Sequence, residues 1–77
     1  MQPDRTRQQV ADEVRVLMAR HRTSQEALGA VLGLHQTAVG RRVRGEVAFD
    51  VEELSKIAEH FGVQLAELLP AGARGAA

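Results

Sequence analysis

The sequence contains no cysteine, tryptophan or tyrosine, and it has only two phenylalanines and two prolines. Without cysteine, neither disulfide bonds nor thiolate metal sites can form, which suits a reducing, cytoplasmic environment. Because aromatic side chains are scarce, we expect a core of aliphatic side chains. No apolar run approaches the roughly 18 residues of a membrane span, and the polar N-terminus does not resemble a secretory signal. We therefore expect no membrane partner.

The 77 residues, 44% hydrophobic and 26% charged, fit one small globular domain. The formal net charge is zero, but the charges are segregated along the chain. Residues 20–45 carry five arginines against one glutamate, a balance of +4, and residues 46–69 carry six acidic residues against one lysine, a balance of −5. A polyanion would be attracted to the first segment and repelled by the second, which favours one docking orientation.

Apolar residues recur at spacings of three and four, and no alternating strand pattern is present, so we predict an all-α bundle of about five short helices. A flexible N-terminal arm is expected at residues 1–6, a helical domain at 7–69 and a flexible tail at 70–77. The helices are predicted at about 7–20, 23 or 24 to 32, 36–44, 50–61 and 64–69.

Two of these helices, within residues 24–44, form a helix-turn-helix pattern. Thr23 with Glu26 would form a capping box, whereas Ser24 would start the helix one residue later. Gly33 stands where a helix end requires a left-handed residue, which indicates a tight turn. The residues of this helix expected to face the core are Ala27, Leu28, Val31 and Leu32.

The following helix has an inner and an outer side. At about 100° per residue, Val39 and Val43 share one side. Such a helix fits the major groove of DNA, where arginine can pair with guanine, glutamine with adenine and a threonine methyl group with thymine. The alternative is that its arginines only solubilise the surface. We predict that helix 36–44 enters the major groove and that bases are read by Gln36, Thr37, Arg41 and Arg44. The same spacing places Gly40 on this outer side.

Phosphate contacts are expected at the starts of both helices. The first turn of the second helix has free N–H groups and the positive end of the helix dipole, and Ser24 and Gln25 add side-chain donors. The alternative for these two residues is simple capping. His35 is expected to cap the third helix and contact a phosphate. Arg42, which points sideways, is also assigned to phosphate contact.

The sequence offers little for other chemistry. His21 and His35 lack the spacing of a metal site, Ser55 has no base at a signature distance, and there is no glycine-rich nucleotide loop. We therefore predict no enzymatic activity, cofactor, metal or small-molecule substrate.

Two quoted stretches, SQEALGAVLGLHQTAVGRRVRGE at residues 24–46 and FDVEELSKIAEHFGVQLAELL at 49–69, resemble the lambda-repressor-like, or Cro/C1-type, helix-turn-helix family. The resemblance covers about residues 8–69. It implies a five-helix domain that binds double-stranded operator DNA, usually as a two-fold homodimer.

The resemblance also implies roles for single residues. Gln25 would clamp a phosphate and brace Gln36, while Arg44 would lie near the DNA backbone. The chain departs from the family pattern at His35, where Ser or Thr is common, and at Arg42, where many relatives bury an apolar residue. A further departure is Gly29, where alanine is usual.

The sequence thus predicts a sequence-specific transcriptional regulator, namely a phage-like repressor of the Cro/C1 type. The alternative function is an antitoxin-type or other protein-interaction module that uses the acidic helices at 50–69.

Overall fold

Four α-helices and a closing 3₁₀ turn make up residues 3–70, the part of the chain that the computed structural model describes. No strand occurs within these residues, so the all-α prediction is confirmed. None of the helices found there has an apolar stretch of membrane-spanning length. The helices are α1 (Pro3–His21), α2 (Gln25–Leu32), α3 (Gln36–Val43) and α4 (Val51–Phe61), followed by the 3₁₀ turn (Leu65–Leu68).

Two predicted boundaries differ from the structure. The first helix begins at Pro3, a residue type favoured at the first helical position, so residues 3–6 are helical and do not form the expected arm. The predicted fifth α-helix is a single 3₁₀ turn, because only four residues lie before the chain extends toward Pro70. The predictions for residues 1–2 and 71–77 lie outside the described residues.

The ends of α2 form the framework of the helix-turn-helix. Ser24 is the N-cap, and its hydroxyl oxygen accepts a hydrogen bond from the N–H of Ala27 at 3.0 Å, which settles the choice between the two candidate caps. Gly33 ends the helix with φ of 71°, as predicted. The N–H of Leu34 then donates to the carbonyl of Gly29 at 2.9 Å, which folds the chain back sharply toward α3.

A capping box fixes the start of α4. Asp50 accepts from the N–H of Glu53 at 2.7 Å, and the Glu53 carboxylate accepts from the N–H of Asp50 at 3.0 Å. Gly62 ends α4, and Val63 donates its N–H to the Ala58 carbonyl at 3.0 Å. Both ends of α4 are therefore fixed by local hydrogen bonds.

Every element contributes an aliphatic side chain to one shared core. The largest fully buried side chains of this core are Val14, Leu28, Val39, Ile57 and Leu68, one from each of the four helices and the 3₁₀ turn. Phe49 reaches the same core from the loop before α4. The core therefore joins α3 directly to the rest of the domain.

One prediction for the inner face of α2 is wrong. Leu28 and Leu32 are buried and Val31 is partly buried, but Ala27 is exposed. The buried strip of α2 also includes Gly29, so its centre is rotated by more than a quarter turn from Ala27.

The compact turn between α2 and α3 depends on the absence of a side chain at Gly29. The Leu34 carbonyl oxygen lies where it would overlap a Cβ atom on Gly29. We expect Gly29→Ala to lower the free energy of unfolding by about 1–3 kcal/mol, although alanine is the better helix former. Urea unfolding followed by circular dichroism measures this effect.

The matched control is Ala30→Gly at the neighbouring exposed position. It should cost about 1 kcal/mol through helix propensity alone. A Gly29→Ala variant as stable as the natural protein would show that the turn does not require this close approach.

Candidate nucleic-acid interface

The outer side of α3 is a polar surface supported by two buried valines. Val39 and Val43 are 0% and 4% exposed, which confirms their predicted placement in the core. Because these two side chains anchor α3 from within, its outer side is held in a fixed orientation. The predicted base-reading residues Gln36, Thr37, Arg41 and Arg44 are all exposed.

The helical pattern predicted that Gly40 lies on the exposed side of α3. This prediction is wrong, because Gly40 is buried. A Cβ atom at this position would lie 2.9 Å from the side-chain oxygen of Gln25 and 3.0 Å from a terminal guanidinium nitrogen of Arg44. The side chains of Gln25 and Arg44 therefore meet over Gly40. Among the described residues, no hydrogen bond joins Gln25 to Gln36, so the bracing contact that the resemblance implied is not formed.

His35 caps the start of α3, as predicted. Its Nδ1 atom accepts a hydrogen bond from the N–H of Thr37 at 3.1 Å. A neutral imidazole that accepts through Nδ1 carries its proton on Nε2. Because His35 is exposed, this second nitrogen is available as a donor to an external acceptor.

The first turn of α2 provides a second group of donors. Ser24 occupies the N–H of Ala27, whereas the N–H groups of Gln25 and Glu26 have no acceptor within the helix. The hydroxyl hydrogen of Ser24 also remains available, since its oxygen serves as the acceptor. Free N–H groups and the positive end of the helix dipole together form an anion-binding arrangement.

Arg42 is not on this surface. Its Nε atom donates to Glu53 Oε1 at 3.0 Å, and one terminal nitrogen donates to the Ala38 carbonyl at 3.1 Å. The two charged side chains are only 18% and 13% exposed. The predicted phosphate contact of Arg42 therefore does not fit its placement, because α4 supplies a carboxylate that holds the guanidinium against the domain.

Side chains from α1 cap the C-terminal end of α3, which the sequence reasoning missed. Arg15 donates to the Val43 carbonyl, and Gln8 donates to the Arg44 carbonyl at 3.2 Å. Helix carbonyls at this end have no partner within the helix, so these bonds fix its position. The only sequence signal was that Gln8 and Arg15 are seven residues apart and share one side of α1, which is also common for solvated residues.

Arg44 is paired with an acidic residue of the following turn. Its Nε atom donates to Glu46 Oε2 at 2.6 Å, and both side chains are slightly more than half exposed. The hydrogen bond from Arg44 is the main cause that holds the pKa of Glu46 below its ordinary value. Desolvation opposes this effect, and the positive charges of Arg44 and Arg41 lower the pKa further. The pair is therefore formed at neutral pH and weakens only as the pH falls through this lowered pKa.

The histidines serve packing and capping. His21 and His60 both pack against Phe61, with ring centroids 4.8 and 5.0 Å apart, while His35 caps α3. Within residues 3–70, no group of three or more histidine, aspartate and glutamate side chains is arranged to hold a metal ion.

Comparisons with known proteins agree with this geometry. A family model described as helix-turn-helix matches residues 14–68. The chain is also similar to a solved structure, the crystal structure of the DNA-binding domain of BldD, with a TM-score of 0.75 and 24% sequence identity. That similarity covers 90% of this chain and 100% of the other, and at this identity it establishes the fold. No curated protein matches the sequence.

The placement of Arg42 can be tested separately from DNA binding. We expect Arg42→Ala to lower the free energy of unfolding by about 1–3 kcal/mol, because it leaves the largely buried Glu53 carboxylate without its cation. The neighbouring variant Arg41→Ala, at an exposed position, should change stability by less than about 0.5 kcal/mol. Urea unfolding measures both.

The same variants distinguish a structural role from a phosphate contact. If Arg42→Ala kept full stability and reduced the slope of log K against log salt by about 0.9, the value for one phosphate contact, Arg42 would belong to the DNA interface.

Proposed function

The chain belongs to the Cro/C1-type helix-turn-helix family of DNA-binding transcription regulators, and we propose that it is a repressor that inserts α3 into the major groove of an operator. The observation that carries this proposal is the exposed side of α3, which is supported from within by Val39 and capped at both ends. A rigid helix of this kind can present hydrogen-bonding groups to base edges in a fixed register.

Within this proposal, the N-terminal part of α3 reads the bases. Gln36 and Thr37 occupy the first turn, which usually reaches deepest into the groove, and Arg41 follows one turn later on the same side. Arg44 lies beyond the last residue of α3 and is turned back over Gly40. We therefore assign Arg44 to the DNA backbone in place of the base contact expected from the helical pattern.

The proposed phosphate contacts come from the starts of α2 and α3. Ser24 and Gln25 would bind one phosphate together with the free N–H groups of the α2 first turn, and His35 would donate through Nε2 to another. These groups are exposed and lie at the ends of short, capped helices. They would set the position of α3 on the duplex without reading its sequence.

The alternative of a protein-interaction module finds less support. Three of its acidic side chains are already engaged within the domain, since Asp50 and Glu53 cap α4 and Glu67 accepts from the N–H of Gln64 at 2.8 Å. Glu53 is further neutralised by Arg42. The acidic segment at 50–69 therefore presents less free charge than its composition suggests.

A homodimer forms part of the proposal. An apolar groove of about 440 Å³ lies between α1, the loop before α4 and the end of the 3₁₀ turn, and its lining includes Val10, Phe49, Leu54 and Leu69. Val51 is 72% exposed and lies three residues before Leu54 on the same side of α4. A second copy could bury this surface while leaving α3 free for DNA.

For base reading, we expect Arg41→Ala to weaken operator binding by about 1–3 kcal/mol and to relax the preference at one base pair. Binding of both proteins to a duplex selected from random DNA, measured by fluorescence anisotropy over a range of salt, tests this. For the natural protein, log K should fall against log salt with a slope of about 0.9 per phosphate contacted.

Lys56→Ala is the matched control, because it removes one exposed positive charge from α4, outside the proposed interface. It should leave the base preference unchanged. Equal preferences for the natural protein and Arg41→Ala at every position of the selected site would remove Arg41 from the base-reading set.

For the dimer, we expect Val51→Asp to shift the protein toward the monomer in sedimentation velocity and to weaken binding to a two-half-site operator. The fold should persist, because an acidic residue is favoured in the first turn of a helix. Val16→Asp, at an exposed valine of α1, is the control. If the natural protein remains a monomer and selects a single asymmetric DNA site, the proposed dimer is excluded.

A further inference from the structure

The three arginines near the end of α3 differ in the charge that they can offer to DNA. Arg42 is neutralised by Glu53 inside the domain, and Arg41 is exposed. Arg44 is exposed as well, but its Nε atom is bound by Glu46. Glu46 therefore offsets one of the two positive charges that remain on the proposed DNA-binding surface.

The position of Glu46 is fixed by the backbone and does not depend on the ion pair. Its N–H donates to the Arg41 carbonyl at 2.9 Å in the turn that follows α3. The carboxylate then lies beside Arg44, with about half of each side chain exposed. A negative charge is thus held at the edge of a surface that must approach phosphates.

We propose that Glu46 is an affinity-limiting residue, whose carboxylate competes with a DNA phosphate for the Arg44 guanidinium. This inference rests on the proposed DNA-binding function. Each contact of Arg44 with DNA requires the ion pair with Glu46 to open or to be shared. The carboxylate also repels nearby phosphates, and both effects weaken binding.

The exposure of the pair leaves Arg44 accessible to DNA and limits the size of the effect to a few-fold change in affinity. An exposed ion pair contributes little to stability, so DNA can displace Glu46 from Arg44 at a small energetic cost. Binding to unrelated DNA depends almost entirely on phosphate contacts, whereas operator binding also gains from base reading. Glu46 should therefore weaken binding to unrelated DNA at least as much as binding to the operator.

The test is Glu46→Gln, which removes the charge and keeps the side-chain size and a hydrogen-bond acceptor. We expect the variant to bind both the selected operator and an unrelated duplex about three- to tenfold more tightly at low salt. The slope of log K against log salt should steepen by up to about 0.9, the value for one additional phosphate contact. Circular dichroism and urea unfolding verify that the fold is unchanged.

Two further variants separate competition for Arg44 from a general charge effect. Glu59→Gln makes the same charge change on the exposed side of α4 and should alter affinity by less than twofold. In an Arg44→Ala background, the gain from Glu46→Gln should fall to the level of this control. A full gain without Arg44 would overturn the proposed competition.

In the opposite role, Glu46 would hold Arg44 in the orientation that binds DNA, and the expected results differ. Unchanged affinity in Glu46→Gln and weaker affinity in Glu46→Ala would establish that role and overturn the inference. Failure of the natural protein to bind either duplex at low salt would instead contradict the proposed function, so the two failures can be distinguished.

Discussion

The proposed DNA-binding surface depends on one constraint: the eight-residue helix α3 must be held in a fixed orientation. Isolated helices of this length are not stable in water, so the order of α3 must come from its surroundings. Burial of Val39 and Val43 fixes its inner side, and the His35 cap fixes its first turn. The last carbonyls are bound by side chains of α1, which lies far away in the sequence. The polar outer side is therefore presented by the whole domain.

The same organisation explains how a chain of zero net charge can offer a surface to a polyanion. Acidic residues of the second half do not simply oppose the basic middle. Glu53 neutralises Arg42 within the domain, and other acids cap helices, while Glu46 is the acid held beside the proposed interface. The positive charge available to DNA is therefore smaller than the number of arginines suggests, because some arginines form ion pairs with glutamates of the same domain.

Local signals in the sequence predicted most of the fold. Ser24 and Asp50 cap helices because their side-chain oxygens accept from N–H groups three residues later, and Gly33 and Gly62 end helices because their backbones adopt positive φ. The spacing of Val39 and Val43 was sufficient to identify the buried side of α3. Predictions failed for Ala27 and Gly40, whose exposure depends on how deeply neighbouring elements cover each helix.

The sequence by itself determined the four α-helices, most of their N-caps, the tight turn and most of the apolar positions, because each depends on residues within a few positions of one another. Only the tertiary structure decided the role of each charged side chain. The sequence does not distinguish Arg41, Arg42 and Arg44. In the structure, Arg41 is exposed, Arg42 forms an ion pair with Glu53 of α4, and Arg44 forms one with Glu46 of the following turn. These differences arise from ion pairs, and the pair between Arg42 and Glu53 joins residues 11 positions apart on two different helices. Helical periodicity predicts the side of a helix on which a residue lies, but it does not predict such contacts between elements.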